Sequence, residues 1–177
     1  MSIAVIVKAA QFAAEKHKNQ RRKDADASPY INHPLALANV LATEVGIENP
    51  DVICAALLHD TIEDTNTTAE ELSTLFGSKI ASIVLEVTDD KNLDKAVRKE
   101  EQVRHAAHIS PEAKLVKLAD KICNLRDILS SPPADWSADR KRAYFDWATR
   151  VVNGLRGVHP ELERTFEDLL KRQDDLA

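Results

Sequence analysis

Four polar side chains come together directly after an apolar run in the middle of the chain. Residues 52–58 are all apolar, and His59, Asp60, Glu63 and Asp64 follow them. On a continuous helix these four side chains would share an arc of roughly 140°. Carboxylates grouped on a buried surface repel one another and lose hydration, so the group needs a compensating cation. A divalent metal beside His59 would supply it, and the alternative is that the helix simply emerges into water here.

Two further stretches contain residues that could join such a site. His33 stands between Pro29 and Pro34 at the start of a predicted helix, where a histidine can be a cap or a metal ligand held by a rigid turn. Asp120, Asn124 and Asp127 share one side of a later helix, opposite its leucine-rich stripe. That side is either the solvated face of an amphipathic helix or the wall of a pocket, and the apolar residues mixed into it favour the pocket.

Basic side chains are grouped where they could meet an anion. Arg21, Arg22 and Lys23 stand in a row in a polar loop over residues 19–30, and Arg140 is four residues before Tyr144 on a predicted helix. Such groups are either solvated surface or holders of phosphate oxygens. A polar helix over residues 95–107 contains Lys95, Arg98 and Lys99, and the sequence does not decide which of these approaches a substrate.

Helical patterns must position all of these side chains. Apolar periodicity and capping residues predict helices over residues 3–18, 35–45, 50–64, 67–76, 78–87, 95–107, 112–129, 138–152 and 161–171. Asn49 and Pro50 begin the central helix, and Ser78 is the expected cap of the fifth. No internal repeat or linker separates two domains, so we expect an all-α, single-domain fold over residues 1–177 with a central metal-binding helix.

Composition limits the class of protein. The 177 residues include only four glycines, which favours helix, and 44% hydrophobic residues, which suits one sizeable core. A formal net charge of −5 argues against a protein that coats nucleic acid or anionic membrane. Cys54 and Cys123 lie in apolar helical patterns and are expected to be reduced core residues of a cytoplasmic protein. No apolar run reaches the ~20 residues of a membrane span.

In chain order, the motif residues resemble those of a known family. His33, His59-Asp60 and Asp120 follow the H…HD…D pattern of HD-domain metal phosphohydrolases. The longer strings Arg22-Lys23, PYINHP over residues 29–34, HDTIEDT over residues 59–65 and KLADKICNLR over residues 117–126 are more specific. They resemble the hydrolase domain of the RelA/SpoT proteins, above all the stand-alone small alarmone hydrolases of metazoan type, and the resemblance covers nearly the whole chain.

This resemblance implies a fold, a cofactor and a set of roles. It implies an all-helical HD domain with one Mn²⁺ per chain, bound by His33, His59, Asp60 and Asp120. It implies that Glu63 and Asp64 serve the attacking water, either by orienting it or by taking its proton. It implies substrate contacts, to the guanine, the nucleoside or the phosphates, from Arg22, Lys23, Asn124, Arg140 and Tyr144.

The implied reaction removes the 3′-pyrophosphate of ppGpp or pppGpp and gives GDP or GTP and pyrophosphate. The expected partner is therefore a small nucleotide, with neither nucleic acid nor membrane, and no oligomeric state is predicted. Two alternatives stay open: an HD phosphohydrolase that removes the 2′-phosphate of NADPH or acts on another nucleotide, and a helical module that binds a nucleotide without turnover. The second is disfavoured because the metal-ligand set and both acids are present.

Overall fold

The computed structural model of the protein describes residues 2–177, and the regular secondary structure in this range is helical. The α-helices are α1 (Ser2–Lys16), α2 (Asn32–Asn39), α3 (Pro50–Leu58), α4 (Thr61–Asp64), α5 (Ala69–Phe76), α6 (Ser78–Val87), α7 (Lys95–His105), α8 (Pro111–Ser130), α9 (Ala138–Asn153) and α10 (Pro160–Leu170). A π-helical segment, Val40–Glu44, continues α2, and a 3₁₀ turn, Gln173–Asp175, follows α10. The expected all-α class is confirmed.

Helix α3 is the centre of the structure. Each residue from Val52 to Leu58 is buried, and the helix packs against α1, α2, α6 and α8. Its start is fixed as the sequence predicts, because the Asn49 side chain accepts a hydrogen bond from the Asp51 amide and Pro50 occupies the first turn. A helix buried on all sides is held rigidly, so the residues at its C-terminal end have a defined position.

The chain does not continue as one helix through the polar group, and this expectation was wrong. Helix α3 ends at Leu58, Asp60 has φ −102° and ψ 1°, and α4 begins at Thr61. The Thr61 hydroxyl donates to the Leu58 carbonyl at 2.7 Å, and His59 Nδ1 lies 2.8 Å from the Ala56 carbonyl oxygen. These local bonds satisfy carbonyls that a continuing helix would otherwise use. The break places His59 and Asp60 in a turn at the end of the buried helix.

Helix α8 forms the opposite wall of the site. Ser110 caps it by accepting from the Ala113 amide, and Leu118, Ile122 and Leu125 are fully buried in the core. The other side of the helix, with Asp120 and Asn124, is partly buried and lines cavities. The pocket interpretation of this face is therefore correct.

Two further details differ from the sequence prediction. Gly77, not Ser78, is the residue before α6, with φ +92°, a left-handed conformation that glycine adopts without a steric penalty. Residues 40–44 are π-helical rather than α-helical. Among residues 2–177, no helix combines the length and the apolar character needed to cross a membrane.

Candidate active site

His33, His59 and Asp60 form a compact group of metal-ligating atoms. One atom from each residue lies within 4.8 Å of the others. His33 comes from the first turn of α2, and the other two come from the turn after α3. Asp120 of α8 lies beside this group, with its Oδ1 3.0 Å from His33 Nε2 and 3.8 Å from His59 Nε2. Imidazole nitrogens together with carboxylate oxygens suit a divalent transition metal, so the group can hold a divalent cation.

The hydrogen bonding of His59 supports this assignment. The side chain is buried, and Nδ1 is occupied by the Ala56 carbonyl, which requires the proton on that nitrogen. Among the described residues, Nε2 has no hydrogen-bond partner; it lies 2.9 Å from Asp60 Oδ2 without the alignment of a hydrogen bond. Nε2, the nitrogen left to ligate a metal, therefore faces carboxylate oxygens, as expected of a metal ligand whose other nitrogen is fixed by the backbone.

The electrostatics of the group favour a positive charge at this point. Burial tends to lower the pKa of His59, but the charges of Asp60 and Asp120 outweigh it and raise the pKa to about 9. Burial likewise tends to raise the pKa of Asp60, but His59 and His33 hold it below its usual range. The carboxylates create a negative electrostatic potential at His59 Nε2, and either a proton or a metal cation bound there would be stabilised by it.

Neighbouring side chains orient the carboxylates. The Tyr30 hydroxyl donates a hydrogen bond to Asp60, and burial raises the pKa of Tyr30, so the phenol stays protonated and can donate. Asn124 Nδ2 donates to Asp120 Oδ1 at 3.0 Å, while Lys121 Nζ donates to Asp120 Oδ2 at 3.2 Å. Such outer contacts fix ligand geometry at metal sites.

Glu63 and Asp64 lie next to this group in a cavity of about 190 Å³ that His33, His59, Asp60 and Asp120 also line. Glu63 Oε1 accepts from the Asp89 amide at 2.8 Å. Burial raises the pKa of Glu63 to about 7, although that hydrogen bond acts in the opposite direction. A carboxyl group with this pKa can exchange a proton near neutral pH.

Asp64 is held from two sides. Its Oδ2 accepts from Gln20 Nε2 at 3.2 Å, and its Oδ1 accepts from Lys91 Nζ at 2.9 Å. Gln20 Oε1 lies 2.7 Å from His17 Nδ1, which fixes the orientation of the amide. The two acids thus have different environments, because Glu63 contacts a neutral backbone amide whereas Asp64 contacts a lysine.

A larger cavity, of about 520 Å³, adjoins the metal-ligand group and has several lining residues in common with the smaller one. The expected substrate-binding residues Arg22, Lys23, Asn124 and Tyr144 line it, together with Trp136. This volume is within the range of small-molecule sites. The structure therefore brings the basic loop and the metal-ligand group to one continuous concave surface.

Arg140 does not line the large cavity, unlike the other expected substrate-binding residues. It lines a third cavity, of about 300 Å³, which shares Lys23, Trp136 and Tyr144 with the large one. Lys95, Arg98 and Lys99 line this third cavity as well. The Arg140 guanidinium lies over the Trp136 ring at 4.4 Å, and burial lowers the pKa of Lys99. All three cations of α7 that the sequence left undecided therefore face one cavity next to Tyr144.

Sequence reasoning gave no role to several residues of the site, although some stand inside the quoted motifs. Lys117 and Lys121 are buried on α8, one on each side of Asp120 in sequence. A lysine inside a run of core residues is rarely fully buried without a purpose, and this was the available signal. Gln20 and Asp89 had no signal, because their roles depend on contacts between distant parts of the chain.

A helical domain in which a histidine, a His-Asp pair and a distant aspartate converge is an HD-domain protein, and the model of the HD domain family matches residues 9–146. Zebrafish and human proteins named guanosine-3′,5′-bis(diphosphate) 3′-pyrophosphohydrolase MESH1 are 54% and 51% identical. The alignments cover 95% and 96% of this chain and 93% and 95% of those proteins.

A solved structure supports the same relationship. It is described as a metazoan orthologue of SpoT that hydrolyses ppGpp, and it superimposes with a TM-score of 0.93 at 44% identity, over 98% of this chain and 97% of its own. The chain therefore belongs to the HD-domain family, within the group of RelA/SpoT-type hydrolases to which the stand-alone MESH1 proteins belong.

Proposed function

We propose that this protein is a metal-dependent hydrolase that removes the 3′-pyrophosphate of ppGpp or pppGpp and produces GDP or GTP and pyrophosphate. One observation carries the proposal: His33, His59, Asp60 and Asp120 converge beside two acids, in a cleft continuous with a cavity of nucleotide size that Arg21, Arg22 and Lys23 help to line. The zebrafish, frog, mouse and human relatives named for this reaction are 51–55% identical along almost their whole length.

In this proposal the four convergent side chains hold one divalent cation, and we propose Mn²⁺. When bound, the cation supplies Lewis-acid chemistry, because it polarises a phosphoryl oxygen and makes a nearby water more acidic. Tyr30, Lys121 and Asn124 fix the Asp60 and Asp120 carboxylates, so the ligand geometry is established before substrate arrives.

Glu63 is the proposed general base. It accepts the proton of the attacking water as the new oxygen–phosphorus bond forms at the phosphorus next to the 3′-oxygen. The bond from that phosphorus to the 3′-oxygen breaks, its electron pair goes to the 3′-oxygen, and this oxygen takes up a proton from solvent to become the 3′-hydroxyl. The Glu63 pKa of about 7 matches proton transfer near neutral pH. Asp64, held by Gln20 and Lys91, is placed to orient the water.

The large cavity is the proposed nucleoside site. Arg22, Lys23, Asn124 and Tyr144 supply donors and an aromatic ring there, whereas Arg140 and the α7 cations supply positive charge in the adjoining cavity. Guanidinium and ammonium groups are the usual ligands of phosphate oxygens. We further propose that residues 1–177 act as one hydrolase domain, since the buried apolar residues of the described range form one cluster.

The test is a product assay with purified protein and Mn²⁺, in which pyrophosphate release from ppGpp and phosphate release from NADPH are measured in parallel. The expected result is rapid pyrophosphate release, which Glu63→Gln removes. Phosphate release from NADPH without turnover of ppGpp would support the alternative substrate. Binding of both nucleotides without turnover of either would support the non-catalytic module.

A further inference from the structure

In the cleft that contains the metal-ligand group, carboxylates outnumber the lysine and arginine side chains. Its lining carboxylates are Asp60, Glu63, Asp64, Asp89 and Asp120. Its lining lysine and arginine side chains are Arg22 and Lys117. Arg22 is already engaged, because its Nη2 lies 2.5 Å from Asp127 Oδ2. Lys117 is therefore the cation of this cleft whose charge is not paired with a carboxylate.

The surroundings of Lys117 leave most of its hydrogen-bonding capacity unused. The side chain is 8% exposed, and its ammonium donates one hydrogen bond, to the Val87 carbonyl at 3.3 Å. Within residues 2–177, no carboxylate lies within 4.0 Å of Lys117 Nζ. An ammonium group has three donors, and burying a charge without compensation is costly. Two donors thus remain for a partner in the cleft, and because burial lowers the pKa of Lys117, an anion bound there would also stabilise its charged form.

A structural role accounts for only part of this arrangement. Val87 is the last residue of α6, and a lysine that donates to it caps the helix end. That contact uses one donor at a long distance, and a neutral amide would supply it equally well. A cap also has no need to border the cleft, yet Lys117, Asp89 and Gln102 line both the cleft and a neighbouring cavity of about 180 Å³.

We propose that Lys117 is a further catalytic residue of this site, which contacts a phosphoryl oxygen of the pyrophosphate group that is removed. The inference rests on the proposed function, since it needs an anionic group in the cleft. Lys117 keeps its proton throughout and donates hydrogen bonds to the departing pyrophosphate, on the side of the cleft formed by Asp89 and Gln102. The electron pair of the breaking bond goes to the 3′-oxygen, while the pyrophosphoryl group gains an oxygen from water and keeps its negative charge, so a fixed cation there holds that charge through the transition state.

The first experiment measures the affinity of inorganic pyrophosphate by calorimetry at a fixed excess of Mn²⁺. We expect Lys117→Gln, which keeps a donor for Val87 but loses the charge, to bind pyrophosphate about tenfold or more weakly than wild type. Lys117→Met should show the same loss, and Lys117→Arg should retain most of the affinity. Lys114→Met is the matched control, on the same helix and outside the three cavities of the site, and should bind as wild type does.

Two further measurements separate this role from helix capping. Mn²⁺ affinity, measured by electron paramagnetic resonance of the free ion, and GDP affinity should be unchanged in Lys117→Gln. Pyrophosphate affinity within twofold of wild type in Lys117→Gln would overturn the inference. So would a loss that follows entirely from weaker Mn²⁺ binding, or a wild-type protein that binds no pyrophosphate. A wild type that binds pyrophosphate but releases none from ppGpp contradicts the proposed reaction, and the same titration still decides the role of Lys117.

Discussion

Glu63 Oε1 accepts a hydrogen bond from the backbone amide of Asp89 at 2.8 Å, so the end of α6 fixes the orientation of the proposed general base. The amide is neutral, and the bond leaves the second carboxylate oxygen of Glu63 available for water. Glu63 itself belongs to α4, which follows the His59-Asp60 turn, and its hydrogen bond to Asp89 joins that helix to the residues after α6.

Glu63→Gln should keep the metal and lose turnover. The amide is similar in size and still accepts from Asp89, but it cannot take a proton, so kcat should fall by about 10²–10⁴-fold. Steady-state kinetics and a metal titration test this together. Glu70→Gln, at an exposed position on α5, is the control. A Glu63→Gln enzyme as active as wild type would remove Glu63 from the mechanism.

The raised pKa of Glu63 also predicts a pH dependence of stability in metal-free protein. The folded state favours the protonated carboxyl, so this contribution to stability is full below the unfolded pKa of about 4.5 and is lost as pH rises through about 7. Glu63→Gln lacks this pH-dependent contribution to stability, because an amide does not titrate in this range. Thermal unfolding in a chelator should therefore show the Tm of Glu63→Gln rising relative to wild type between pH 5 and pH 8. A constant difference would mean that Glu63 has an ordinary pKa.

Tyr30 should matter for metal affinity although it is not a proposed ligand. Its hydroxyl donates to Asp60, and outer-sphere partners of this kind typically contribute 10–100-fold to metal affinity. We expect Tyr30→Phe to bind Mn²⁺ about tenfold or more weakly. Tyr144→Phe also removes a tyrosine hydroxyl, but from the proposed nucleoside cavity, and this variant should bind Mn²⁺ as wild type does. Equal metal affinity in Tyr30→Phe and wild type would show that Asp60 needs no such support.

Gly77 provides a prediction about the fold alone. Its φ of +92° is strained for any residue with a Cβ, and no atom lies within 4 Å of the place that a Cβ would occupy. Gly77→Ala should therefore lower the free energy of unfolding by about 1 kcal/mol or more, through backbone strain and without a clash. Denaturant unfolding measures this. A variant as stable as wild type would mean that the turn before α6 can rearrange.

The fold was largely predictable because its helices have strong local signals. Asn49 with Pro50 marks a helix start that the structure confirms, and Ser110 and Ser137 cap the starts of α8 and α9. The break after Leu58 was not predictable from periodicity, because residues 50–64 fit one helix equally well. It depends on hydrogen bonds of Thr61 and His59 to the preceding turn, which compete with helix propagation.

Candidate site residues could be predicted only where the type and local spacing of the side chains indicate their chemistry. A histidine and three carboxylates grouped after a buried apolar run indicate a metal, whereas the role of Gln20 depends on Asp64, which is 44 residues away. Asp127 was expected on the polar side of α8, but nothing in the sequence indicated that it pairs with Arg22, 105 residues before it. Contacts of this kind follow from tertiary packing, and local patterns contain no information about them.

The central claim is that His33, His59, Asp60 and Asp120 bind one cation. A crystal structure of the protein grown with Mn²⁺, with anomalous data collected at the manganese edge, tests it most directly. We predict one anomalous peak per chain within about 2.0–2.3 Å of a ligand atom from each of the four residues. A manganese peak elsewhere, or a structure in which His33 or Asp120 points away from the His59-Asp60 pair, would contradict it.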